Sequence, residues 1–105
     1  GIASGLGQAV LERTEYDKAG QLLTGSYMDY ALPRADDLPL FKWELYQNAP
    51  CRTNPLGAKG VGELGTVGAT PAIVNAVLNA LKGHGRGVLE MPLTSQKIWL
   101  HLHGE

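Results

Sequence analysis

Nine residues, Gly57-Ala58-Lys59-Gly60-Val61-Gly62-Glu63-Leu64-Gly65, place four glycines around one lysine and one glutamate. Glycine tolerates positive φ and lets backbone pass close to a partner. Such a loop can aim several N–H groups at one anion. Lys59 could neutralise phosphate, pair with Glu63 or simply be solvated. Glu63 has two readings. As an ordinary loop carboxylate it would be solvated, since glutamates are mostly exposed. Held among Val61, Leu64, Val67 and Ala69 it would be partly desolvated, which disfavours its charged form and makes it a better proton acceptor near neutral pH.

The run Gly60-Val61-Gly62-Glu63-Leu64-Gly65 matches GxGxxG literally. A dinucleotide site also needs a strand entering the motif and an acidic residue about 20 positions on, at a strand end. Thr53-Asn54-Pro55-Leu56 cannot be a buried strand, so the dinucleotide reading is rejected. A P-loop is rejected too, because no GK[ST] follows the glycines. The three histidines, His84, His101 and His103, do not converge by spacing, and no metal site is expected from them. One cysteine, Cys51, excludes an intramolecular disulfide and any cysteine-held zinc or iron–sulfur centre.

Composition narrows the class further. The 105 residues suit one domain, residues 1–105, with 44% hydrophobic and 18% charged side chains. A formal net charge of −1 provides no footprint for nucleic acid or an anionic membrane. No apolar run reaches the roughly 18–20 residues of a membrane span, and no secretory leader is recognisable. The opening Gly1-Ile2 reads as a cut from a longer chain, and a cytoplasmic setting is expected.

The elements that must position the loop read as follows. Gly1–Arg13 has helical spacing in Ile2, Leu6, Ala9 and Val10. Gly5 and Gly7 weaken that helix and serve either close packing or backbone approach to a ligand. Thr14–Tyr16 and Gln21–Thr24 flank Asp17-Lys18-Ala19-Gly20 as a hairpin. Phe41–Gln47 alternates Phe41, Trp43 and Leu45 against Lys42, Glu44 and Tyr46, the pattern of a half-buried strand. Residues 48–68 lack either period, and a loop of about 20 residues is often functional. Thr70 is expected to cap a helix with Pro71 at its first position, Ile73, Val74, Val77, Leu78 and Leu81 as its apolar stripe and Gly83 at its end. Residues 83–87 read as a connector. Thr94 caps a last helix carrying Ile98, Trp99 and Leu102. Trp43 and Trp99 are read as core residues. The expected fold class is α+β: a small antiparallel sheet packed with two to three helices.

GAKGVGELG followed by TVGATPAIVNAVLNAL resembles the C-terminal end of the molybdopterin-binding large subunits of the xanthine dehydrogenase, aldehyde oxidase and aerobic carbon monoxide dehydrogenase family. The resemblance extends in order to GIASGLGQAVLE, GQLLTGSYMDYALPRADDLP and MPLTSQKIW, nearly the whole chain. It implies a fragment of the molybdenum-cofactor-binding domain of an oxidoreductase acting on an aldehyde, an N-heterocycle or carbon monoxide. Glu63 is then the active-site base, taking a proton from a metal-activated hydroxyl that attacks an electrophilic substrate carbon. Molybdenum-molybdopterin is the implied cofactor, with Gly60, Gly62, Gly65, Lys59, Ser4 and Gly5 as candidate contacts. No side chain is expected to ligate the metal. Where Ser4 stands, the family often has a glutamine, and the shorter side chain cannot span the same distance. Implied partners are a small-molecule substrate, the upstream part of the same subunit, and iron–sulfur and FAD subunits or domains that carry electrons away. The isolated chain is expected to be inactive. The alternative is a stand-alone phosphate- or nucleotide-binding, or interaction, module built on the same loop.

Overall fold

The computed structural model describes residues 1–85 and 87–104. Its order is helix α1 (Ile2–Val10), a short 3-10 helix (Ala35–Asp37), helix α2 (Leu64–Ala80) and helix α3 (Ser95–His103). The three helices agree with expectation; the sheet does not. Among the described residues there is no β-strand, and the only ladder contact is one antiparallel bridge, Tyr16 to Leu22. The α+β expectation is therefore corrected to an all-helical chain with long connections.

The reason lies in what a strand needs. The hairpin turn forms because its chemistry is local. Asp17 Oδ1 accepts from the N–H groups of Ala19 and Gln21 at 2.8 and 2.9 Å, and Gly20 supplies a φ of 83°. The Phe41–Gln47 segment has the alternation of a strand but exchanges no backbone hydrogen bond with any described residue. A strand is stabilised by its ladder, and the described chain offers no second strand to build one. Trp43 is accordingly 75% exposed rather than core. Trp99 is also half in solvent, stacked on His103 with ring centroids 4.2 Å apart.

Helix α2 begins earlier than expected. Thr70 is not its cap but a buried residue inside it, and Pro71 lies in mid-helix. Leu64 to Ala69 contain two glycines and two β-branched residues, poor helix formers in isolation. They are helical because they lie against α1, the one extensive helix–helix contact among the described elements. Packing then overrides propensity. The connector expected over 83–87 contains Arg86, which lies outside the described residues; Gly83 has the positive φ of 83° expected of a helix end.

Helix α3 follows the local rules. The Thr94 side chain accepts from Lys97 N–H at 3.3 Å, and Gly104 closes the helix in the left-handed conformation. The helix is preceded by Leu93, whose N–H donates to Ala9 O at 2.7 Å. Leu93 and Ala9 are the fully buried apolar side chains among the described residues. The core is thus small, and the Cα radius of gyration, 17.8 Å, exceeds the roughly 13 Å of a compact 100-residue domain.

Candidate functional site

The glycine loop and the start of α1 meet through the α1–α2 contact. A methyl group on Gly65 would lie 3.1 Å from Gly1 Cα and from Ile2 N. One on Gly5 would lie 2.6 Å from Ala69 Cβ and 3.0 Å from Thr70 N. At Gly5 something would have to shift, and at Gly65 the neighbouring backbone would have to give by a few tenths of an ångström, so the two helices run close at both glycines. Two hydroxyls exploit that approach. Thr66 donates to Gly1 O at 3.2 Å, and Thr70 Oγ1 lies 3.3 Å from Gly5 O and 3.0 Å from Gln8 Oε1.

Gly60 and Gly62 are different. A side chain at either would meet nothing within 4 Å, so neither is required by packing inside this chain. The N–H groups from Lys59 to Glu63 find no backbone or side-chain acceptor among the described residues. The loop is held at its base instead. The Asn54 side chain bridges to both the N–H and the C=O of Ala58 at 3.0 and 2.9 Å, and Cys51 N–H donates to Gly57 O at 3.0 Å. Among the described residues no strand enters the GxGxxG match.

Glu63 sits directly before the first turn of α2, and its side chain makes no capping bond. It is exposed. So are Val61 and Leu64, at 63% and 65%. The dehydrated surroundings expected for this carboxylate are therefore not supplied by the chain itself. Lys59 is exposed as well and forms no ion pair with Glu63 among the described residues. Ser4 is exposed on α1 with no hydrogen-bond partner among them. The chain thus sets Gly65 against Gly1 and Ile2, and Gly5 against Ala69 and Thr70 further along α2, with Glu63 just before the helix, while Gly60, Gly62 and Lys59 lie on the loop leading into it. An apolar groove of about 570 Å³ runs beside them, between Ile2, Leu6, Phe41, Leu64 and Ala69.

The remaining chemistry-bearing groups stay apart. His101 Nε2 lies 3.1 Å from His84 O, and His103 Nδ1 lies 2.7 Å from Trp99 O. No group of three or more potential metal ligands converges among the described residues. The Thr53 hydroxyl, 3.1 Å from Cys51 Sγ, holds that thiol below its ordinary range, helped by the Thr53 backbone. Sequence reasoning did not foresee the interhelical hydrogen bonds of Thr66 and Thr70. The available signal was their four-residue spacing, matching that of Gly1 and Gly5.

Residues 1–39 match the molybdopterin cofactor-binding domain family. The chain is 37% identical over 98 residues to the nicotine 6-hydroxylase large subunit of Paenarthrobacter nicotinovorans, covering 93% of this chain and 12% of that protein. It is 37% identical over 100 residues to the carbon monoxide dehydrogenase large chain of Afipia carboxidovorans, covering 94% and 12%. Among solved structures, it superposes on quinoline 2-oxidoreductase from Pseudomonas putida 86 with a TM-score of 0.80 at 34% identity, covering 97% of this chain and 13% of that one. A Cu,Mo-CO dehydrogenase chain gives a TM-score of 0.82 at 36% identity, covering 93% and 12%. These relatives define a class, the molybdenum-cofactor oxidoreductases. The chain belongs within it to the family of molybdopterin-binding large subunits, and it spans about an eighth of the length of the relatives it matches.

Proposed function

We propose that this chain is the portion of a molybdenum hydroxylase large subunit that supplies the active-site base, Glu63, on an open glycine loop. The observation that supports this most directly is the pairing of an uncapped, exposed Glu63 with unsatisfied loop amides. No described side chain caps these exposed groups, so they are open to a ligand. Here they are left for something outside the chain.

The donor set fits the family's cofactor. A pterin bearing phosphate needs N–H donors and positive charge, and residues 59–63 present free amides beside the Lys59 ammonium. Gly60 and Gly62 let that backbone be approached closely. Gly65 and Gly5 hold the scaffold together rather than facing outward. When bound, the cofactor supplies the two-electron redox chemistry and the activation of a water-derived oxygen.

The chain's own part is narrower. Glu63 accepts a proton at a carboxylate oxygen from the attacking oxygen nucleophile. Its position before α2 fixes where that carboxylate stands. Its dehydration comes from the upstream part of the same subunit, closing over Val61 and Leu64. The substrate is a small molecule of the aldehyde, N-heterocycle or carbon monoxide kind, and iron–sulfur and FAD subunits or domains receive the electrons. The setting is cytoplasmic; no described helix is long and apolar enough to cross a membrane. The phosphate-module alternative is weaker because the likeness runs through more than nine-tenths of the chain, not through the loop alone.

Glu63→Gln in the full-length subunit is the test. The amide keeps the size and hydrogen bonding of glutamate but cannot take the proton. Turnover should fall at least about 100-fold with molybdenum content unchanged. Turnover at the parent level would remove Glu63 from the chemistry.

A further inference from the structure

The α1–α2 contact has a regularity that packing alone does not demand. Gly1 and Gly5 are four residues apart on one side; Thr66 and Thr70 are four residues apart on the other. Residues four apart lie on one face of a helix. Each hydroxyl reaches the carbonyl of one glycine, Thr66 to Gly1 at 3.2 Å and Thr70 to Gly5 at 3.3 Å. Each glycine lacks the side chain that would keep the hydroxyl away. Thr70 is buried. Its single proton is shared among Gly5 O, Gln8 Oε1 and Thr66 O, within 3.0 to 3.3 Å. An amide of Gln8 turned end for end would donate to Oγ1 and leave the proton to Gly5 O or Thr66 O. Either arrangement ties α2 to α1.

We propose that Thr66 and Thr70 are positioning residues: their hydroxyls lock α2 to α1 in a single register and thereby fix Glu63 relative to Ser4 and Gly5. Glu63 immediately precedes α2, three residues before Thr66, so any slide of α2 along α1 moves the carboxylate with it. Glycine and alanine contacts are smooth and leave such a slide weakly opposed. Hydroxyl-to-carbonyl bonds, which are directional, oppose it. Misplacement by about 1 Å can cost on the order of 100-fold in rate. This inference rests on Glu63 being the base.

The experiment uses the full-length subunit in its assembled enzyme, with Thr66→Val, Thr70→Val and Thr70→Ser. Valine keeps the branched shape and removes the hydroxyl; serine keeps the hydroxyl. Two readouts are taken: hydrogen exchange of the amides of α1, and kcat separately from KM. Both valine variants should exchange faster in α1 and lose about 10- to 100-fold in kcat, with KM and molybdenum content unchanged. Thr70→Ser should recover to within about twofold of the parent. Parent-like exchange and kcat in both valine variants would overturn the proposal. So would Thr70→Ser as impaired as Thr70→Val, because the methyl group would then be what matters. If Thr70→Val does not assemble, Thr66→Val decides by the same criteria, since the Thr66 bond lies at the exposed rim of the contact. Glu63→Gln run alongside separates the two claims. Full turnover there defeats the base assignment and the kcat effect derived from it, leaving α1 exchange to judge the register lock, whereas an inactive Glu63→Gln with parent-like valine variants defeats the register lock alone.

Discussion

Thr70 of α2 and Gly5 of α1 meet with Oγ1 3.3 Å from O, at a point where a methyl group on Gly5 would come within 2.6 Å of the neighbouring Ala69 Cβ. The buried hydroxyl and the missing side chain depend on each other. A bare Gly5 lets α2 come close enough for the hydroxyl to reach the carbonyl, and Thr70 in turn places a polar group against it.

Gly5→Ala should therefore force the helices apart. Overpacking of this kind costs about 1–3 kcal/mol. Denaturant unfolding of the full-length subunit should show a lower midpoint than Gly20→Ala, whose site has open space but a φ of 83°. A Gly5→Ala midpoint equal to the parent's would mean that the helices accommodate the methyl group.

Gly62→Val makes the opposite prediction. Nothing in this chain lies within 4 Å of an added Cβ, so packing within these residues does not oppose the substitution. If the open loop carries cofactor, the purified enzyme should contain less molybdenum and pterin, measured by metal analysis and by pterin fluorescence after release. Parent-level content would show that the cofactor does not approach Gly62.

Thr94→Ala removes the one hydroxyl cap at the start of α3. Loss of an N-cap costs about 1 kcal/mol. Amide exchange in Ser95–His103 should accelerate accordingly, about fivefold, while α2 is unaffected. Exchange equal to the parent's would assign the helix start to Leu93 burial instead.

Tyr30 provides a pH signature. Its hydroxyl donates to Glu12 Oε2 at 2.7 Å. That bond, then partial burial, then the negative charge of Glu12 raise the phenol above its ordinary 10.0. A group with a raised native value stabilises the fold below its unfolded value and loses that contribution as pH rises through the native one. The tie between Tyr30 and Glu12, two residues beyond α1, should thus be intact near neutrality and weaken above about pH 10. Carbon-13 labelling of tyrosine rings, with Tyr30→Phe for assignment, should show one resonance titrating above the ordinary phenol value and moving down in Glu12→Gln. A resonance insensitive to that substitution would refute the coupling.

Local chemistry is legible in the order of the residues alone. Asp17 and Gly20 write the hairpin turn, Thr94 writes the start of α3, and Gly83 marks an end, because each acts through neighbours a few residues away. Phe41–Gln47 forms no strand despite its pattern, because alternation reports a face that wants covering and says nothing of whether a ladder partner exists. Thr70 is no cap, although Thr-Pro is a common helix start, because the residues before it become helical against α1. The Glu63 loop is recognisable by composition and by resemblance.

The amino-acid sequence by itself determined the family, and it made Glu63 and the amides around Gly60 and Gly62 the candidates for the chemistry proposed above. Only the tertiary structure decided which glycines are structural. Gly5 and Gly65 are bare because backbone meets backbone there, across more than sixty residues of chain. No local pattern encodes a contact at that separation; it exists only once the two helices have packed.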